Sequence, residues 1–78
     1  MMNIKKINKV AGYRNMLGMT KKDIAKYLEI TSQSYSNKET GKNSFSDKEK
    51  VKIKSLFNQI NENLSIDDIF FDDNSSLF

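Results

Sequence analysis

Gln33 and Asn37 are the side chains in this sequence best suited to reading another molecule. On a helix, a spacing of four places two residues one turn apart on the same face. A carboxamide holds a donor beside an acceptor, so it matches the N6 and N7 edge of adenine in the major groove. Groups suited to phosphate flank the pair. Lys21 offers a cation and, at the start of a helix, an unpaired backbone N–H. Lys42 and Asn43 follow the polar stretch that holds the amides. Without a frame to present them, the two amides are ordinary solvent-facing residues.

Other chemistry is excluded by composition. There is no cysteine and no histidine among the 78 residues. That removes disulfides, thiol catalysis, nearly all zinc chemistry and any histidine general base. The carboxylates Asp67, Asp68, Asp72 and Asp73 lack the spacing and the glycine of a calcium loop, so they read as a solvated acidic end. No residue set supports an enzyme, and no cofactor or metal is expected.

The net charge of +3 hides an asymmetry. Residues 1–54 carry all 13 bases and five acids, a balance of +8, and residues 55–78 carry five acids and no base, a balance of −5. A basic body is the footprint of a polyanion binder, because lysines displace counterions from phosphate. Lysines also solvate helix surfaces, and composition alone does not separate the two readings. Lys5, Lys6 and Lys9 read as such a solvated face.

The length predicts one domain. No apolar run approaches the ~18 residues of a membrane span, and no signal-peptide pattern opens the chain, so the cytoplasm is the expected location. Proline is absent and glycine occurs three times, which favours helices over an all-β fold. The period Ile4, Ile7, Val10, Leu17 predicts a helix over 4–17, capped by Asn3, weakened by Gly12 and stopped by Gly18. Thr20 with Asp23 is a capping-box pattern opening a helix over 21–28. Thr31 caps a strongly polar helix over 32–39, in which Tyr35 is the one large apolar body. A loop with Phe45 tucked inward leads to a second capping box, Ser46 with Glu49. From there Ile53, Leu56, Phe57, Ile60 and Leu64 predict an amphipathic helix from 47 to about 60. Ser65 with Asp68 opens a short fifth helix carrying Ile66, Ile69, Phe70 and Phe71. Residues 72–78 read as a frayed acidic tail.

Two short helices joined by a three- to four-residue turn form a helix-turn-helix. The second helix of such a unit enters the major groove while the first crosses the backbone. A small residue is needed where the helices cross, and Ala25 is placed for it.

From Met19 through Thr20-Lys21-Lys22-Asp23-Ile24-Ala25 to Glu39-Thr40-Gly41-Lys42, the sequence resembles the helix-turn-helix of the xenobiotic-response-element family, which includes the Cro and CI repressors of temperate phages. Tyr13-Arg14 with Leu17-Gly18-Met19 is similar to the family's first helix, and Ser65 to Phe70 to its fifth. The resemblance covers roughly residues 5–71. It implies an all-α, compact five-helix bundle, a lambda-repressor-like DNA-binding domain over 1–71. It places Ser32, Gln33 and Asn37, with Ser36 beside them, on base-contacting positions. Thr20, Lys21, Thr40 and Lys42 fall on phosphate-contacting positions. Arg14 and Glu39 fall on a pair that joins the first helix to the end of the third. Arg14 is the only arginine among 13 basic residues, as expected where a planar bidentate partner is needed.

Two positions depart from the family pattern. Glu29 stands where glycine is usual, and at positive φ it costs ~1 kcal/mol. Lys38 stands where a bulky apolar residue is usual; its stem is expected to pack while its ammonium snorkels to solvent.

The implied function is a sequence-specific, double-stranded-DNA-binding transcriptional regulator. It would occlude a promoter as a homodimer, on half-sites about one helical turn apart. Ile66 with whichever of Phe70 and Phe71 points outward, taken as Phe71, forms a candidate dimer patch. No second domain follows within these residues, which favours a Cro-like over a CI-type repressor. Two alternatives stand: an antitoxin that represses its own operon, and an interaction module that keeps the fold and docks a partner through its acidic C-terminal end.

Overall fold

A computed structural model describes residues 8–70. Among these the protein is all-helical, with five helices and no strand: α1 (Lys9–Met16), α2 (Lys21–Leu28), α3 (Ser32–Glu39), α4 (Asp47–Phe57) and α5 (Ile66–Phe70).

Helix starts are set by side-chain caps. Thr20 and Asp23 form a reciprocal capping box at α2, and Ser46 and Glu49 form another at α4. The Thr31 hydroxyl accepts from Ser34 N at 3.0 Å to open α3. Ser65 and Asp68 exchange hydrogen bonds of 3.0 and 3.1 Å at α5. Each cap satisfies N–H groups that have no partner within the helix.

The first helix is shorter than its period predicts. Its cap is Asn8, whose backbone is extended (φ −87°, ψ 90°) and whose Oδ1 accepts from Ala11 N at 3.0 Å. A helix over 4–17 would need Asn8 inside it, so the apolar period alone misplaced the start. Asn3, Ile4 and Ile7 lie outside the described residues, as do Lys5, Lys6, Phe71 and 72–78. Gly18 (φ 72°) ends α1 as expected, and Met19 N donates back to Arg14 O at 3.1 Å.

The α2–α3 turn is Glu29-Ile30-Thr31. Glu29 adopts φ 63°, ψ 40°, the left-handed conformation that glycine would take without strain. The turn closes with Ile30 N donating to Ala25 O at 3.0 Å, and Ile30 packs against the core.

The fourth helix ends at Phe57, short of the predicted 60. Asn58 Nδ2 donates to the carbonyls of Asn61 and Leu64, both at 3.1 Å, and turns the chain back. Leu64 thereby returns to the core while Ile60 stays 36% exposed, so the helical period does not extend through Ile60.

Tyr35, Phe57, Ile24 and Ile53 are the largest fully buried side chains. They come from α2, α3 and α4, so these three helices share one centre. Burying each such side chain contributes about 1.5–3 kcal/mol. Ala25, 1% exposed, lets α2 and α3 cross closely. Phe45 is buried as expected and lies between the rings of Tyr35 (6.0 Å) and Phe70 (5.5 Å). Phe70 therefore packs inward.

Candidate nucleic-acid interface

The outward face of α3 is polar. Ser32 and Gln33 are exposed, and Ser36 and Asn37 are half-buried. Gln33 Nε2 donates to Asn37 Oδ1 at 3.2 Å, so the two amides are joined before any ligand arrives. The bond leaves Gln33 Oε1, one Gln33 N–H and both Asn37 N–H groups for a partner. The Ser36 hydroxyl accepts from Lys21 Nζ at 3.4 Å. Sequence expectation and structure thus agree that these four share α3 and that Lys21 lies beside it.

Beneath that face, one carboxylate organises three helices. Glu39 Oε2 accepts from Arg14 Nε at 2.8 Å and from the Tyr35 hydroxyl at 2.8 Å. Arg14 Nη1 donates to Met19 O at 2.8 Å. The guanidinium is therefore divided between Glu39 and a backbone carbonyl, and does not form the bidentate fork expected from its being the only arginine. Lys21 Nζ lies 4.0 Å from Glu39 Oε1. Arg14 and Glu39 are both buried, and a charge pair can be buried only when its partners satisfy it. The hydrogen bond to Glu39 raises the Arg14 pKa above its ordinary value against the opposing effect of burial. Burial, then the bond to Glu39, raises the Tyr35 hydroxyl far above its ordinary value. Asn8 Nδ2 adds a bond of 3.2 Å to Glu39 O, so α3's last turn is tied to α1 twice.

The second tie to α3 overturns the expectation for Lys38. Its ammonium does not snorkel to solvent but donates to Glu49 Oε1 and Oε2 at 2.7 and 2.8 Å. Both side chains are mostly covered, at 17% and 13% exposure. Burial pushes the Glu49 carboxyl up, but Lys38 and the N–H of Ser46 outweigh it and hold it below its ordinary value. Glu49 was legible in the sequence only as half of a capping box. Its second role depends on α4 passing the end of α3, which no local pattern carries.

The expected phosphate contacts sit in three settings. Thr20 and Lys21 open α2 and are exposed, with the Thr20 hydroxyl already accepting from Asp23 N. The Thr40 hydroxyl donates to Ser36 O at 2.9 Å, so it must rotate before donating elsewhere. The Lys42 and Asn43 side chains are exposed, while their backbone N–H groups both donate to Asn37 O, at 2.8 and 3.1 Å. In the candidate dimer patch, Ile66 is half-buried and Phe71 lies outside the described residues.

Among the described residues no three His, Cys, Asp or Glu side chains converge as metal ligands, and no helix is long and apolar enough to cross a membrane. Comparison with protein-family models, curated proteins and solved structures returns no match to this chain.

Proposed function

We propose that this protein is a sequence-specific double-stranded-DNA-binding regulator of the xenobiotic-response-element type. In this reading α2 and α3 are a helix-turn-helix within a lambda-repressor-like fold, working in the bacterial cytoplasm. Gln33 and Asn37 read base edges, with Ser32 and Ser36 beside them. Lys21, Thr20, Thr40, Lys42 and Asn43 meet phosphates and fix register without reading sequence. Binding as a homodimer occludes a promoter, and no bond is made or broken.

The observation that carries the reading is the joined amide pair on the outward face of a helix clamped from below by Arg14, Tyr35 and Glu39. Base reading needs side chains whose positions are set before the encounter, and a rigid scaffold supplies that. The excess of lysine over residues 1–54 supports it by supplying the sequence-independent attraction.

The test is fluorescence anisotropy with a duplex from the gene's own upstream region and a scrambled duplex, at two salt concentrations. The expected result is a preference of ~10³-fold or more for the native duplex. Affinity should fall with salt at a log–log slope of about 0.9 per phosphate neutralised. Equal, weak binding to both duplexes would sink the operator reading and leave the interaction-module alternative.

A further inference from the structure

We infer that Asn43 is a site of spontaneous amide hydrolysis, at which a neutral side chain becomes a carboxylate without a second protein. The reaction brings the next residue's backbone nitrogen onto the side-chain carbonyl carbon. It therefore needs a neighbouring N–H that no carbonyl has taken, a small neighbouring side chain and an amide that nothing holds. Asn43 meets these conditions. It lies in the loop between α3 and α4, and both it and Ser44 are exposed. Its own N–H donates to Asn37 O at 3.1 Å, but among the described residues nothing accepts from Ser44 N or bonds the Asn43 amide.

The other described asparagines are protected. Asn15 and Asn37 lie within helices, where the next N–H donates to a carbonyl four residues back. The Asn8 amide is held by Ala11 N and Glu39 O, and the Asn58 amide by the carbonyls of Asn61 and Leu64. Asn61 Oδ1 accepts from Asn63 N at 2.9 Å. After Asn63, the Leu64 N–H is engaged with Asn61 O at 3.1 Å.

In the reaction Ser44 N gives up its proton and bonds to Asn43 Cγ, the Cγ–Nδ2 bond breaks, and the amide nitrogen leaves as ammonia. Water then opens the cyclic imide. Opening at Cγ leaves aspartate; opening at the backbone carbonyl leaves isoaspartate, with an extra methylene in the main chain. The new carboxylate stands beside exposed Lys42, just past the N–H groups that close α3 on Asn37 O. Under the DNA reading it repels the phosphate that Lys42 and Asn43 meet, so binding weakens irreversibly with time. The site itself does not depend on that reading.

Incubation of the full chain in mildly alkaline buffer, followed by peptide mapping with mass spectrometry, tests the proposal. The peptide holding residue 43 should convert ahead of those holding the other described asparagines. It should give two products of equal mass, faster as pH rises, because Ser44 N must lose its proton. A synthetic peptide of residues 40–46 run alongside serves as the clock. Ser44→Val, whose branched side chain crowds the attacking nitrogen, should slow conversion several-fold, with circular dichroism matching the parent. A chain still intact at residue 43 when the peptide has fully converted, earlier conversion at another described asparagine, or an equal rate in folded Ser44→Val would each overturn the proposal. Should Ser44→Val fail to fold, the comparison with the peptide decides. Asn43→Asp should lower affinity for native and scrambled duplexes alike, as a change at a phosphate contact does. Unchanged affinity would overturn the consequence for binding, and a parent that binds neither duplex would overturn the DNA reading alone.

Discussion

Arg14 shows how much one side chain can hold. It donates at once to α3's last residue and to the carbonyl that leads into α2. Arg14→Ala would leave the Glu39 carboxylate buried with only Tyr35 and a distant Lys21, and breaking a buried pair from one side costs about 3–5 kcal/mol. For a domain of this size each kcal/mol shifts the melting temperature by ~4–8 °C, so a calorimetric scan should show a fall of at least 12 °C, if the chain folds at all. An unchanged melting temperature would contradict the clamp. Gln33→Ala should leave stability within about 0.5 kcal/mol, since Gln33 is exposed. If the proposed DNA reading is right, it costs about 1–3 kcal/mol on the operator and relaxes preference at one base pair. Equal loss on operator and random duplexes would remove Gln33 from base reading. The types and spacing of these residues were legible in the sequence. Tyr35 and Glu39 stand one turn apart on α3, a spacing the sequence carries; that Arg14 would reach the same carboxylate while also bonding Met19 O depended on how α1 lies against the end of α3.

Among the elements, the α2–α3 turn carries a visible cost. Glu29 holds φ 63° and places a carboxylate at the C-terminal end of α2, where the helix dipole is also negative. Glu29→Gly removes both penalties, partly offset by the greater freedom of glycine in the unfolded chain. The expected net effect is a gain of ~1 kcal/mol, read as a higher midpoint in urea. A loss would show that Glu29 makes a stabilising contact in the turn. The bounds of α2 and α3 were legible to the residue, because capping oxygens and acids at fixed offsets are local signals. The start of α1 and the end of α4 were not. Both relied on an apolar period, and a period runs on past a helix end whenever the next apolar residues fall in step.

For the whole molecule, acid stability follows from the carboxylates that hold helices in place. Glu49 is the best placed of these, joining the α4 cap to Lys38 of α3. Its folded-state pKa is lowered from an ordinary 4.5, so its contribution is complete above that value and is lost as pH falls through the lower folded one. Asp23 and Asp68 are lowered too, first by the backbone N–H groups of Thr20 and Ser65, and they act in the same direction. Stability should therefore be level from neutral pH to about 5 and decline below it. Glu49→Gln should lower the plateau and flatten the decline. An acid limb that is identical in the two proteins would exclude Glu49 from it. With no histidine, no further side chain has its ordinary titration between pH 5 and 8.

All-helical character, four of the five helix starts and the inward turn of Phe45 could be read from order and composition. The helix starts rest on caps within a few residues, which are written in the chain itself, and Phe45 stands out as the one large apolar side chain of a polar loop. Only the folded chain decided that Lys38 is paired with Glu49, that Tyr35 shares Glu39 with Arg14, that Ile60 faces solvent while Leu64 is covered, and that Tyr27 lies against Lys52. Those contacts join residues on different elements or on either side of a turn. Their partners are chosen by how helices pack, and packing depends on the summed shape and burial of the whole core.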